Sequence, residues 1–81
     1  MDLVALNDST KEIIFVECKW KDKVNAEKIR EDLKEKSKFV EWNNEKRKEF
    51  YCIIAKSFKK KTKIADVLLF DLRDMEKAFK D

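Results

Sequence analysis

The sequence predicts a single small α/β domain with its elements in the order ββαββα. Three observations predict it. Two short apolar runs flank the turn-forming stretch Asn7-Asp8-Ser9-Thr10-Lys11, the pattern of a β-hairpin. A charged stretch with apolar residues at helical spacing follows, and two further apolar runs, Phe50–Ala55 and Val67–Phe70, come after it.

The first strand covers Leu3 to Leu6, and the second covers Ile13-Ile14-Phe15-Val16 and continues through Glu17-Cys18-Lys19-Trp20. The second is apolar on both faces, which predicts a central strand in a sheet covered on both sides. If the hairpin closes through a four-residue loop from Asp8 to Lys11, Asn7 pairs with Glu12 and Asp2 falls opposite Glu17. From about Val24 to Trp42, Ala26, Ile29, Leu33 and Val40 recur at helical spacing among charged residues, predicting an amphipathic helix. Asp22 or Asn25 would cap its start, and Asn43-Asn44 would end it. The basic run Lys46-Arg47-Lys48 leads into the third strand, a basic connection runs from Phe58 to Lys63, and Val67–Phe70 is the fourth strand. Asp71 would then cap a last helix carrying Leu72, Met75 and Phe79 on one face.

Length and composition bound the rest. The 81 residues leave room for one domain, and 43% hydrophobic against 46% charged residues gives a core beneath a heavily charged surface. Gly, Pro, Gln and His are all absent. Turns that need positive φ therefore fall to Asn or Asp, and the Lys- and Glu-rich surface leans toward a thermophilic source. Without His, a general base must be a carboxylate, Lys, Tyr or Cys, and a metal site must rest on oxygen ligands or on two cysteines. Cys18 and Cys52 are too few for a disulfide scaffold or a four-thiolate zinc site; they read as reduced, buried small hydrophobes, with a disulfide between them as the minor alternative. No apolar run has the length of a membrane span or signal peptide, so the chain reads as cytoplasmic.

The net charge of +3 is unevenly spread: Lys36 to Lys63 holds ten basic and three acidic residues, a local +7, and the remainder sums to −4. A basic middle beside an acidic site suits a polyanionic partner, the alternative being a solvated lysine-rich surface. Lys46, Arg47, Lys48, Lys59, Lys60, Lys61 and Lys63 are the residues expected to grip a phosphate backbone. Trp20 and Trp42 read as packing residues at element ends ahead of base-stacking platforms.

The candidate chemistry sits at the end of the second strand. Side chains alternate there, so Glu17 and Lys19 share a face. Two neighbouring carboxylates, Asp2 and Glu17, repel unless a cation lies between them, and hard oxygen ligands with open water positions suit Mg²⁺ or Mn²⁺. Such an ion would serve phosphodiester hydrolysis, with Lys19 orienting the nucleophile or neutralising charge at phosphorus. The competing reading is a strand that has reached solvent with Glu17 paired to Lys19. The acid-x-Lys triplet alone is weak, since it recurs at Asp32-Leu33-Lys34.

Asp2, followed by Glu17-Cys18-Lys19 on an apolar strand and then by an amphipathic helix and another strand, resembles the PD-(D/E)xK nuclease superfamily. Glu17-Cys18-Lys19-Trp20, Val40-Glu41-Trp42-Asn43 and the Lys-Arg-Lys run more narrowly resemble a domain of unknown function found at the C-terminus of archaeal P-loop ATPases. The resemblance implies a restriction-endonuclease-like mixed sheet flanked by helices. It also implies Asp2 and Glu17 as metal ligands, the Cys18 backbone carbonyl as a further ligand, and Lys19 as the catalytic lysine. The chain lacks the superfamily's usual first helix and strand and has no P-loop, so a truncated domain without an ATP site is expected. The open sheet edge this leaves invites a homodimer. Two functions stand side by side: a nuclease-like domain binding nucleic acid, with DNA the expected partner, and a non-catalytic accessory or dimerisation module. A truncated product without independent function is the third.

Overall fold

The computed structural model describes residues 2–61 and 64–78. Its elements are β1 (Leu3–Asn7), β2 (Glu12–Lys19), α1 (Ala26–Ser37), β3 (Lys48–Ala55), β4 (Val67–Phe70) and α2 (Leu72–Ala78), the ββαββα order expected. They form one mixed sheet in the order β1-β2-β3-β4, in which β1 is antiparallel to β2 while β2, β3 and β4 run parallel.

The hairpin closes through residues 8 to 11, and its register pairs Asn7 with Glu12 and Leu3 with Val16, as the loop length required. Asn7 Oδ1 accepts from the Ser9 and Thr10 amides at 3.0 and 3.3 Å and so fixes the turn. Among the described residues the positive-φ positions are Lys11, Lys23 and Asn43, with φ of 58°, 54° and 46°. Two lysines thus occupy a conformation that was expected of Asn or Asp, at a cost of about 1 kcal/mol each for a residue with a Cβ.

Asn25 caps α1, its Oδ1 accepting from the Lys28 amide at 3.2 Å. The helix ends at Ser37, five residues before Trp42, where it was expected to end. The apolar period does continue, but Val40 and Trp42 pack on the core from an irregular segment. Arg47 fastens that segment by donating to the carbonyls of Ser37, Val40 and Trp42 at 2.8, 2.6 and 3.2 Å. Asp71 and Asp74 cap α2 reciprocally, each carboxylate accepting from the other's amide at 3.0 Å. Phe79, expected on the same face, lies outside the described residues.

The core lies between α1 and one face of the sheet, where Ile13, Phe15, Tyr51, Ile53 and Leu33 are each at most 1% exposed. Phe15 and Tyr51 stack with ring centroids 5.8 Å apart. Burying such aromatic and aliphatic side chains contributes roughly 1.5–3 kcal/mol each. The opposite sheet face was expected to be covered too, and it is not: Leu3, Leu68 and Phe70 remain 60%, 53% and 42% exposed. Cys18 opens onto this face and is exposed, whereas Cys52 is buried; both are free thiols. Because Val16 pairs with Cys52, Cys18 is its diagonal neighbour. Strand spacing and rise then separate their Cα atoms by about 8 Å, beyond disulfide reach.

Candidate functional site

Glu17 and Lys19 ride the last residues of β2, at the carboxyl end of the parallel pair β2 and β3, the end of a parallel sheet at which ligands collect. Glu17 shares the core-facing side with Ile13 and Phe15, and it is 6% exposed. Burial of a carboxylate demands compensation. Lys19 supplies part of it, with Nζ 3.8 Å from Glu17 Oε1. Lys36, in the last turn of α1, supplies more, with Nζ 3.9 Å from the same oxygen. These separations are ionic contacts longer than hydrogen bonds.

Lys36 is a site residue that sequence reasoning missed. Its signal was present: it stands three residues after Leu33 and seven after Ile29, so it continues the apolar stripe with a charge.

Asp2 reaches the same strand end by a different route. Its amide donates to the Val16 carbonyl at 2.9 Å, although Val16 is already the partner of Leu3. Donor and acceptor in an antiparallel ladder keep one register, so the chain slips by one residue here, as in a β-bulge. The expected placement of Asp2 directly opposite Glu17 is corrected by that slip. Asp2 Oδ2 then accepts from the Cys18 amide at 2.6 Å, taking the place of the next ladder carbonyl. Lys19 therefore contacts the buried Glu17, while the exposed Asp2 is tied to the backbone of Cys18, whose side chain opens on the opposite face.

The predicted basic residues divide into separate groups. Lys46 and Lys48 are exposed at the start of β3, while Lys59 and Lys60 are exposed after its end, beside Asn25 and Glu27 at the start of α1. Eight strand residues hold the two groups about 23 Å apart. Arg47 belongs to neither, because its side chain is 3% exposed. Besides the three carbonyls it pairs with Glu49 Oε2 at 2.7 Å and covers the Phe15 ring at 5.6 Å, so it serves the fold. Lys61 is held by Asp71 at 3.3 Å and by Asp74. Lys63 lies outside the described residues. Lys21, Lys23 and Lys56, which sequence reasoning did not single out, are exposed near Lys59 and Lys60: the Lys56 amide donates to the Lys21 carbonyl, and the Lys59 amide to that of Val24.

Elsewhere, Arg30 of α1 grips Asp66 through two hydrogen bonds of 3.0 Å and lies 5.9 Å above the Tyr51 ring. The guanidinium holds the Asp66 carboxyl below its ordinary range. Burial pushes the Tyr51 phenol and the Cys52 thiol up, which suits neither to act as a nucleophile. Trp42 packs on the core as expected, whereas Trp20 is 46% exposed.

Residues 1–32 match the family model DUF234, Archaea bacterial proteins of unknown function. The chain is also similar to Uncharacterized protein MJECL04 of Methanocaldococcus jannaschii, at 43% identity over 76 residues. That similarity covers 91% of this chain and 17% of the relative, so the chain spans about a sixth of the relative's length. The match to the family model contains Asp2, Glu17, Cys18 and Lys19. No solved structure matches. Among the described residues no helix is long and apolar enough to cross a membrane.

Proposed function

We propose that this chain is a nuclease-like nucleic-acid-binding domain whose Glu17 centre supports phosphodiester hydrolysis with Mg²⁺ or Mn²⁺. The observation that carries the reading is a buried carboxylate at the carboxyl end of the parallel strands, with the Lys19 ammonium 3.8 Å away and the Asp2 carboxylate anchored on the neighbouring Cys18 amide.

The donor set fits such an ion in kind. Asp2, Glu17 and the Cys18 carbonyl offer hard oxygens, as Mg²⁺ and Mn²⁺ prefer. It is sparse in number: among the described residues no group of three or more His, Cys, Asp or Glu side chains is arranged to hold a metal. Water would complete the coordination shell, as is usual for Mg²⁺. When bound, the ion would supply Lewis acidity and a more acidic coordinated water. Lys19 places a positive charge where negative charge develops at phosphorus, and Lys36, 3.9 Å from Glu17 Oε1, helps to hold that carboxylate in place. Lys21, Lys23, Lys56, Lys59 and Lys60, exposed beyond the carboxyl ends of β2 and β3, would make sequence-neutral phosphate contacts, and DNA is the polyanion we favour. A cytoplasmic setting accords with two free thiols.

A non-catalytic accessory module is the second reading, favoured by one specific observation. Lys19 and Lys36 already neutralise Glu17, and Asp2 already caps the Cys18 amide, so each acid has a structural task. Incubating plasmid and single-stranded DNA with Mg²⁺ or Mn²⁺ separates the two. Metal-dependent cleavage by the wild type that falls at least 100-fold in Lys19→Ala is expected. Equal cleavage by both proteins, or none by either alongside salt-sensitive DNA binding, would leave the accessory module.

A further inference from the structure

The sheet face away from α1 is apolar across all four strands. One register row reads Leu3, Val16, Cys52, Leu68; the row beside it reads Ala5, Ile14, Phe50; the row on the other side reads Cys18, Ile54, Phe70. A groove of about 510 Å³ crosses the first two rows, bordered by Ala5, Ile14, Phe50 and Leu68. Four strands at about 4.8 Å spacing and three rows of residues make a footprint of roughly 19 by 17 Å, in which Leu3, Phe50, Leu68 and Phe70 are exposed around the buried Cys52, and apolar patches of that size are often functional.

The rim indicates the occupant. At the end of this face beyond Ile14 and Phe50, Glu12 of β2 stands in register with Lys48 of β3. We infer that the face is closed by a second copy of this chain, packed sheet on sheet about a two-fold axis that runs along the strands between β2 and β3. Rotation about that axis exchanges β2 with β3 and β1 with β4 while keeping each residue at its own height. Glu12 then meets the partner's Lys48, and Lys48 meets the partner's Glu12. Ile14 packs on the partner's Phe50 and Leu3 on the partner's Leu68, with Val16 over the position of the buried Cys52. Every apolar row meets an apolar row, and the charged row is its own complement, as an isologous interface requires. The strands of the two sheets are aligned, one of the two preferred sandwich arrangements. The footprint, roughly 320 Å² on each chain, is below that of standard specific interfaces, so a weak, concentration-dependent dimer is expected. This inference stands apart from the Glu17 centre, which lies on the other side of the sheet.

Sedimentation velocity over about 1 to 300 µM tests it. The wild type is expected to move from monomer to dimer across that range. Glu12→Lys and Lys48→Glu, each checked for its folded circular dichroism spectrum, are expected to weaken dimerisation at least tenfold. Their equimolar mixture is expected to dimerise like the wild type, because position 12 of the Glu12→Lys protein then meets the opposite charge at position 48 of the Lys48→Glu protein across the axis. In each variant the register neighbours at positions 12 and 48 carry like charges within the chain, so recovery in the mixture reads only the contact between chains. Should either rim variant fail to fold, Leu68→Lys on the exposed part of β4 is expected to abolish the dimer. A wild type that stays monomeric throughout, folded single variants that dimerise undiminished, a mixture that stays monomeric, or a folded Leu68→Lys protein that still dimerises would overturn the inference.

Discussion

The Asp2 carboxylate accepts a hydrogen bond from the Cys18 amide at 2.6 Å, tying the first described residue of the chain to the strand end that carries Glu17 and Lys19. A side chain closes the ladder where the backbone register has slipped. Removing it in Asp2→Ala is expected to lower stability by about 1 kcal/mol, since the bond is charge-assisted but exposed. Asp2→Asn keeps an acceptor and is expected to lose roughly half as much. Urea unfolding of the three proteins measures the difference.

Arg47 gives a larger effect. Its guanidinium satisfies three backbone carbonyls and Glu49 while it is 3% exposed, so Arg47→Ala leaves several buried acceptors without donors. A loss of about 3–5 kcal/mol is expected, enough to unfold much of a domain of this size. Arg47→Lys is expected to recover little, because an ammonium cannot span the fork of acceptors. In contrast, Lys46→Ala and Lys48→Ala are expected to change stability by less than about 0.5 kcal/mol.

Acid sensitivity follows from Asp66. Its folded carboxyl is held below the ordinary value of 3.8 by Arg30, so the unfolded chain binds the proton more readily. The stabilisation is complete above the unfolded pKa and is lost as pH falls through the folded one. Asp74, held at about 2 by Lys61 and by the Asp71 amide, works in the same direction. Asp66→Asn is expected to flatten the fall in unfolding midpoint below about pH 4. A wild-type curve of the same slope as the variant's would remove Asp66 from this role.

Nucleic-acid binding distinguishes the two basic groups. Lys59→Ala and Lys60→Ala together are expected to reduce the salt dependence of DNA affinity by about two phosphate contacts. Lys46→Ala and Lys48→Ala, about 23 Å away, are expected to leave it nearly unchanged. Gel shifts at several salt concentrations give both slopes.

These outcomes divide along what one chain of letters can encode. The hairpin register was legible because a four-residue loop fixes which residues face each other, and it carried Asp2 to within one residue of its observed place. The slip at Asp2 was not legible, because it depends on a side chain substituting for a carbonyl. Asn25 and Asp71 were legible as caps from local chemistry alone. The end of α1 was misread because Val40 and Trp42 keep a helical period that Arg47 holds in irregular backbone. Arg47 itself looked like one of three adjacent basic residues, and only the fold turns it inward. Lys36 became a neighbour of Glu17 only once α1 was packed across β2. The uncovered sheet face reverses an expectation for the same reason: two-sided apolarity reveals that a strand seeks cover, and it leaves the source of that cover unspecified.

The Glu17 centre is tested most directly without any substrate, by titrating the full chain with Mn²⁺ and following free ion by electron paramagnetic resonance. One Mn²⁺ per chain is expected for the wild type, with Glu17→Gln weakening it at least tenfold and excess Mg²⁺ competing for the same site. Absence of binding by the wild type at millimolar Mn²⁺, or binding unchanged by Glu17→Gln, would contradict a metal-dependent centre at this strand end.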